Sequence, residues 1–260
     1  MKAMPSNNEM TKAITAVKEL ILKKNREINI IVLTGSGISK GSGIPTFRGK
    51  DGLWKNYNAM DLATPQAFRK DTNLVWEWYA WRMGIILDKE PNAAHYAITK
   101  LQVAGLVKWI ITQNVDSLHV RAGSTNILEV HGNIFRAKCT QCDFKTMLTI
   151  PPKEPPMCEC GGMLRPDVVW FGERLNAELL YKAYDLLKTE CDVLLVIGTS
   201  GIVYPVADMP REAKDNGAII IEFNLEKTPI SSLADFVILG KSEELLPEFV
   251  NKLIKNDKEG

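Results

Sequence analysis

Four cysteines carry the most specific spacing in the chain. Cys139-x-x-Cys142 is followed, fifteen residues on, by Cys158-x-Cys160, with Gly161 and Gly162 directly after. Two thiol pairs on two short turns supply the four ligands of a tetrahedral Zn2+, and glycine eases the tight turn beside a metal. With every position a thiol, such a site is closed and structural, since no position remains for a catalytic water. The competing readings are two disulfides or free buried thiols. An intracellular chain disfavours disulfides, and a Cys-x-Cys pair bridges poorly to itself. Cys191, the fifth, opens an apolar run and reads as a small buried residue.

A second chemical stretch is Thr34–Pro45, TGSGISKGSGIP, which follows an apolar strand-like run. A dehydrogenase fingerprint fails here. Gly35 and Gly37 fit its first two glycines, but Lys40 stands at the third, and no acidic residue stands where a ribose-binding carboxylate belongs. No P-loop G-K-[ST] is present either. A plain strand-to-helix turn would need one glycine. Several glycines with interleaved hydroxyls point instead to a phosphate held on backbone N–H groups.

The chain has three histidines. An imidazole suits general-base work because its pKa lies near working pH. His95 sits in the apolar stretch NAAHYAITKL and reads as a core residue. His119 follows TQNVD and reads as structural or supporting. His131, in EVHG, stands at a strand end beside glycine, where a reactive group belongs.

The elements that must position these groups alternate. Strand-like runs are Ile28–Leu33, Leu106–Thr112, Ile127–Val130, Asp192–Ile197, Ala218–Phe223 and Phe236–Leu239. Their near-continuous apolar character is that of a parallel sheet buried on both faces. Helical patterns fall at Thr11–Lys24, Ala93–Val103, Ala177–Lys188 and Val206–Asp215. The alternation predicts a doubly wound α/β sheet, whose ligands sit at the carboxyl ends of the strands. Those ends carry TGSGIS, TQNVD, EVHG, GTS and FN. Two inserts interrupt the pattern: the tryptophan-rich Asp51–Pro91 and the cysteine-rich Cys139–Cys160. Asn251–Gly260 is polar and is expected to fray.

Composition excludes several classes. The 260 residues are 45% hydrophobic and carry 32 basic against 31 acidic side chains, a net charge of +1. Bulk charge therefore recruits neither nucleic acid nor membrane. No apolar run reaches the ~18 residues of a transmembrane helix. Met1–Asn8 lacks the apolar core of a secretory signal, and Glu9 and Glu19 weigh against a transit peptide. A cytoplasmic monomer without regulatory extensions is expected, with nuclear or mitochondrial location left open.

At the level of motifs the chain resembles the sirtuins. Thr34–Gly49, TGSGISKGSGIPTFRG, is similar to their G-A-G-I-S-x-x-S-G-I-P-D-F-R-G signature. TQNVD (112–116) resembles T-Q-N-I-D, and EVHG (129–132) resembles the catalytic histidine segment. The four cysteines follow, then RPDVVWFGE (165–173), GTS (198–200) and FNLE (223–226), in the family's order. The likeness covers about residues 15–250. It implies a single catalytic domain over residues 1–260: a Rossmann-like part at about 11–48, 98–134 and 166–250, a small helical lobe at about 51–97, and a four-cysteine zinc ribbon at about 135–165. The implied activity is NAD-dependent protein-lysine deacylation, with one structural Zn2+ per chain and an acylated-lysine protein or peptide as partner. In that chemistry the acyl oxygen displaces nicotinamide from NAD, His131 is general base for a ribose hydroxyl, and O-acyl-ADP-ribose is released.

The resemblance also assigns roles. Asn114 and Asp116 hold the nicotinamide end against the apolar wall of Ile44, and Gln113 contacts the neighbouring ribose. The backbone of Gly35, Ser36 and Gly37, together with Ser39, cradles phosphate, assisted by Arg48. Phe47 shields the reacting carbon, and Trp54 packs beside the cofactor or in the core. Gly198, Thr199, Ser200, Asn224, Glu226 and Ser242 hold the adenosine half. Val169 and Phe171 line the lysine tunnel, while the backbone at Gly172 pairs with the peptide as an added strand.

Two departures from the signature are Ser36 for alanine and Thr46 for aspartate. Thr46 is found in the desuccinylase and demalonylase branch, which also carries a Y-x-x-R pair like Tyr79 and Arg82. These two are three apart and share a helix face. A guanidinium fork with a phenol donor suits the carboxylate of a succinyl or malonyl group. The competing reading makes Trp76, Trp78 and Trp81 a hydrophobic face with Tyr79 and Arg82 at its rim. Within the family the alternatives are a deacetylase, a long-chain fatty deacylase or a mono-ADP-ribosyl transferase. Outside it they are a non-catalytic zinc-ribbon binding module and an NAD-dependent oxidoreductase.

Overall fold

The computed structural model of the chain describes residues 5–24, 26–46 and 59–255. In chain order they form α1 (Pro5–Lys23), β1 (Ile30–Thr34), α2 (Gly37–Lys40), α3 (Ala59–Leu62), α4 (Pro65–Lys70), α5 (Thr72–Leu87), α6 (Ala93–Val103), β2 (Val107–Thr112), α7 (Leu118–Arg121) and β3 (Ile127–Glu129). The chain continues with β4 (Gly132–Cys139), β5 (Lys145–Met147), β6 (Leu164–Val168), α8 (Ala177–Thr189), β7 (Val193–Ile197), α9 (Met209–Asp215), β8 (Ile219–Asn224), β9 (Phe236–Leu239) and α10 (Ser242–Ile254).

Six strands make one parallel sheet in the order β3-β2-β1-β7-β8-β9. Taken by their sequence among these six, that is the doubly wound order 3-2-1-4-5-6, which reverses between β1 and β7. Side chains alternate across the sheet with the strand's two-residue period. Ile30 and Val32 of β1 pack on one face with Val17, Leu101 and Phe249 from α1, α6 and α10. Ile31 and Leu33 pack on the other with Ala183 and Leu187 of α8 and Met209 and Ala213 of α9. Thr34 stands level with Thr112 on one side and Ile197 on the other. The loops leaving β1, β2 and β7 therefore emerge together at one edge of the sheet.

The second sheet is antiparallel, β5-β4-β6, with the cysteines at its turns. It shares a core with α5, in which Trp76, Trp78 and Met83 meet Ile134, Leu164 and Trp170. α5 starts where Asp71 Oδ1 accepts from the Leu74 N–H at 2.9 Å, and α4 where Thr64 Oγ1 accepts from the Ala67 N–H at 3.0 Å.

Besides shifted bounds, with α1 starting at Pro5 rather than Thr11 and β1 at Ile30 rather than Ile28, three details depart from the sequence expectations. Helix α10 extends to Ile254, past the residue where fraying was expected to begin, because Leu246, Phe249, Val250 and Leu253 repeat at helical spacing and are buried. The stretch Val206–Asp215 divides into a 3-10 turn at Val206–Asp208 and then α9, since Pro210 fits only the first turn of an α-helix. The strands of the zinc-ribbon insert carried no apolar run long enough to announce them, because one face of that small sheet is solvated. No helix among the described residues is long and apolar enough to cross a membrane.

Candidate active site

The crevice at the strand-order reversal is built by three interlocked glycines. The Gly35 N–H donates to the Ile197 carbonyl at 3.0 Å, and the Gly37 N–H to that of Gly198 at 2.8 Å. A Cβ on Gly35 would lie 2.8 Å from the Gly198 oxygen, and one on Gly37 would lie 2.7 Å from the Gly198 Cα. Gly198 itself has φ +60°, and a Cβ there would lie 2.5 Å from the Ile38 nitrogen. No side chain fits between the loops after β1 and β7, so a ligand there meets backbone. Ser36 is half-buried beside them.

Beneath this crevice the TQNVD loop is tied to α2. Asn114 Nδ2 donates to Ser39 Oγ at 3.2 Å, and Ser39 Oγ donates to Asp116 Oδ2 at 2.7 Å. Asp116 Oδ1 accepts from the Leu118 N–H at 2.9 Å, across the left-handed turn at Ser117. Burial pushes the Asp116 carboxyl up; the Leu118 and Ser39 hydrogen bonds and the Arg82 charge pull it back. The Ser39 proton is thus given to Asp116 rather than turned outward to a phosphate. Ile44 is buried beside α2, its N–H on the Ser39 carbonyl at 3.3 Å.

Gln113 bridges the two halves of the crevice. Its Nε2 donates to Thr199 Oγ1 at 2.8 Å, while Asn224 Nδ2 donates to the Thr199 carbonyl at 2.8 Å. The carbonyl of Gln113 lies 3.1 Å from His131 Nδ1. A carbonyl only accepts, so Nδ1 carries the proton and Nε2 carries the lone pair. Burial lowers the His131 pKa, and the Gln113 carbonyl partly opposes this. His131 is only half-buried, and the chain can turn there because Gly132 takes φ +82°.

Behind the loop runs a polar chain of Thr34, Thr112 and His119, in which His119 takes the supporting place expected of it and the two threonines carried no assigned role in the sequence. Thr34 Oγ1 donates to Thr112 Oγ1 at 2.8 Å, and Thr112 Oγ1 accepts from the Asn114 N–H at 3.0 Å. His119 Nε2 is 3.0 Å from Thr34 Oγ1, whose proton is already given, so the imidazole donates. His119 stacks edge-on against His95, with ring centroids 5.0 Å apart. Both are fully buried and held neutral by burial, His95 at about 4 and His119 at about 3. His95 accepts the Asn92 N–H at Nδ1, but its Nε2 has no partner among the described residues, so it is less satisfied than a core reading implies.

Tyr79 and Arg82 lie on one face of α5, and neither sits at a surface rim: they are 2% and 8% exposed. Both stand inside the buried face of the helix, with Val75, Trp76, Trp78, Met83 and Ile86, while Trp81 is only half-buried, so the tryptophans do not form a face with this pair at its rim. Arg82 interacts electrostatically with Tyr79 and Asp116, its guanidinium pKa is lowered by burial, and it lies over the Trp78 ring at 5.4 Å. Trp170, inside the RPDVVWFGE motif but given no role there, donates its indole N–H to the Tyr79 hydroxyl at 2.8 Å. The Val169 N–H donates to the His131 carbonyl and the Phe171 N–H to that of Ala63, both at 2.9 Å. These bonds set Val169 and Phe171 between the histidine and the helical lobe. Gly172 is exposed with φ +85°.

The four cysteine sulfurs lie within 4.8 Å of one another and form no disulfide. Two of the separations are 3.5 and 3.7 Å, near the ~3.8 Å edge of a tetrahedron with Zn–S bonds of about 2.3 Å. The Gln141 and Gly162 N–H groups donate to Cys139 and Cys160 sulfur, as thiolates require. The donor set therefore fits a closed Zn2+ site.

The remaining sequence candidates are spread along the adenosine side. Ser200 and Glu226 are exposed, and Ser242 is buried at the first turn of α10. Phe47, Arg48 and Trp54 lie outside the described residues.

A sequence profile described as the Sir2 family matches residues 35–205. An NAD-dependent protein deacylase of Pyrococcus furiosus is 51% identical over 231 residues, covering 86% of this chain and 92% of that protein. A solved Sir2 homolog–NAD complex superposes with a TM-score of 0.86 at 43% identity, covering 92% of this chain and 93% of the other. A Sir2–p53 peptide–NAD+ complex superposes with a TM-score of 0.80 at 29% identity, covering 92% and 98%.

Proposed function

The chain belongs to the Sir2 family, and we propose that within it this enzyme prefers lysines carrying an acidic acyl group, succinyl or malonyl. The activity is NAD-dependent protein deacylation, with a structural zinc in the four-cysteine ribbon and an acylated-lysine peptide as the second substrate.

NAD, when bound, supplies the ribose carbon from which nicotinamide departs. The protein's own groups fit around that event. The glycine interlock of Gly35, Gly37 and Gly198 leaves only backbone to meet a pyrophosphate. Asn114, Ser39 and Asp116 are linked before any ligand arrives, so their polar atoms need little reorganisation on binding. His131, neutral through burial and oriented by the Gln113 carbonyl, presents Nε2 as a base. Val169 and Phe171 flank the approach of the lysine, and Gly172 leaves the neighbouring edge open for a peptide strand.

The observation that carries the acidic-acyl reading is the burial of Arg82 beside Tyr79. The guanidinium already faces the Asp116 charge, and its fork also matches the carboxylate of a succinyl or malonyl group. Acetyl-lysine offers no such group, and a site built on polar contacts rejects an analogue that lacks them. Turnover of succinyl-, acetyl- and myristoyl-lysine forms of one peptide tests the reading, followed by nicotinamide release. The native enzyme should favour the succinyl peptide, and Arg82→Met should lose that activity selectively. An equal loss on all three peptides would overturn the acidic-acyl preference.

A further inference from the structure

One hydrogen bond beside the Tyr79–Arg82 pair has a direction fixed by chemistry. The Trp170 indole nitrogen only donates, so at 2.8 Å the Tyr79 oxygen accepts. The single phenol proton is therefore turned away from Trp170. The indole is held firmly in place. The Arg165 guanidinium lies 3.3 Å over its ring and pairs with Glu173 at 2.5 and 2.9 Å. Glu173 Oε2 also accepts the Trp170 backbone N–H at 2.9 Å, and Phe68 packs on the ring at 5.2 Å. Both partners are buried, Trp170 and Tyr79 each at 2% exposure, so water does not compete for the bond.

We propose that Trp170 is a specificity-positioning residue, whose indole N–H occupies the accepting side of the Tyr79 phenol and so commits the phenol proton to the carboxylate of an acidic acyl group beside Arg82. The proposal rests on the acidic-acyl reading above. A carboxylate is an acceptor at both oxygens, so a phenol held as a donor complements it, while an acetyl methyl gains nothing. The Arg165–Glu173 pair clamps the indole from behind and thereby links the segment 165–173 to the acyl pocket.

Trp170→Phe keeps the aromatic stack and removes the N–H. The readout is the ratio of kcat/KM for succinyl over acetyl peptide, which a general structural defect would not move. That ratio is expected to fall by about five- to thirty-fold, chiefly through KM for the succinyl peptide. In a Tyr79→Phe background the same change should leave the ratio unmoved, since Trp170 acts through the phenol. A native preference that survives Trp170→Phe overturns this inference alone. A native enzyme without succinyl preference overturns the acidic-acyl reading and this inference with it. If Trp170→Phe does not fold, the 15N–1H indole resonance of Trp170 in the parent protein decides. It should shift on Tyr79→Phe and on saturation with a succinyl-lysine peptide, and a resonance unmoved by either overturns the proposal.

Discussion

His131 Nδ1 donates to the Gln113 carbonyl at 3.1 Å, which ties the histidine to the residue whose side chain holds Thr199 across the crevice. The bond sets the tautomer and the ring plane together, and it leaves Nε2 as the basic nitrogen. Because burial lowers the His131 pKa, the neutral base persists below the ordinary histidine range. The acid limb of a kcat/KM–pH profile should therefore have its midpoint below about pH 6.5. His131→Ala should lower kcat/KM by about 10^2- to 10^4-fold. An acid limb centred above that pH would contradict the assignment.

His95 and His119 give the fold a pH dependence separate from catalysis. Both have folded pKa values depressed by burial, to about 4 and about 3. A depressed histidine pKa means that the unfolded chain binds more protons as pH falls, so stability is full above about pH 6.5 and declines below it. By pH 5 the loss should be on the order of 2 kcal/mol for each histidine. Denaturant titrations at pH 7 and pH 5 measure it. His119→Phe should flatten the dependence while weakening the support of Thr34 and Thr112.

Gly198 and Gly105 make a matched pair of substitutions. Each has positive φ, +60° and +75°, but only a Cβ on Gly198 meets other atoms, the nearest being the Ile38 nitrogen at 2.5 Å. Gly105→Ala should cost about 1–2 kcal/mol of stability through backbone strain and leave NAD affinity within twofold of native. Gly198→Ala should cost more and weaken NAD binding at least tenfold, because it forces the two loops apart. Thermal melts and NAD titration calorimetry separate the two effects.

The cysteine site should hold one zinc per purified chain by elemental analysis. Cys139 and Cys158 are buried in the same core as Trp76 and Trp170, so stripping the metal should loosen the helical lobe and change tryptophan fluorescence. Far-UV circular dichroism should change little, because the parallel sheet packs in separate clusters. Cys158→Ser should reproduce the chelator's effect and lower kcat/KM for every acyl peptide together.

Much of the chemistry was legible in the sequence because it resides in local pattern. The strands announced themselves as continuous apolar runs rich in β-branched residues: β9 begins and ends where its run does, and β1 and β2 fall within two residues of theirs. The paired thiol spacing predicted four sulfurs at one point, and they lie within 4.8 Å. The motifs at the strand ends were read as neighbours because a doubly wound sheet gathers those ends, and Thr34, Thr112 and Ile197 do stand level.

What the tertiary structure alone decided was the direction and sharing of hydrogen bonds among those motifs. Nothing local tells Ser39 to give its proton to Asp116, or Gln113 to orient a histidine eighteen residues on. Trp170 and Tyr79 are ninety-one residues apart, and the indole found the phenol only because the second sheet packs on α5. Sequence spacing fixes which side chains share a face of an element. Which donor meets which acceptor depends on how separate elements pack, and that is a property of the whole core.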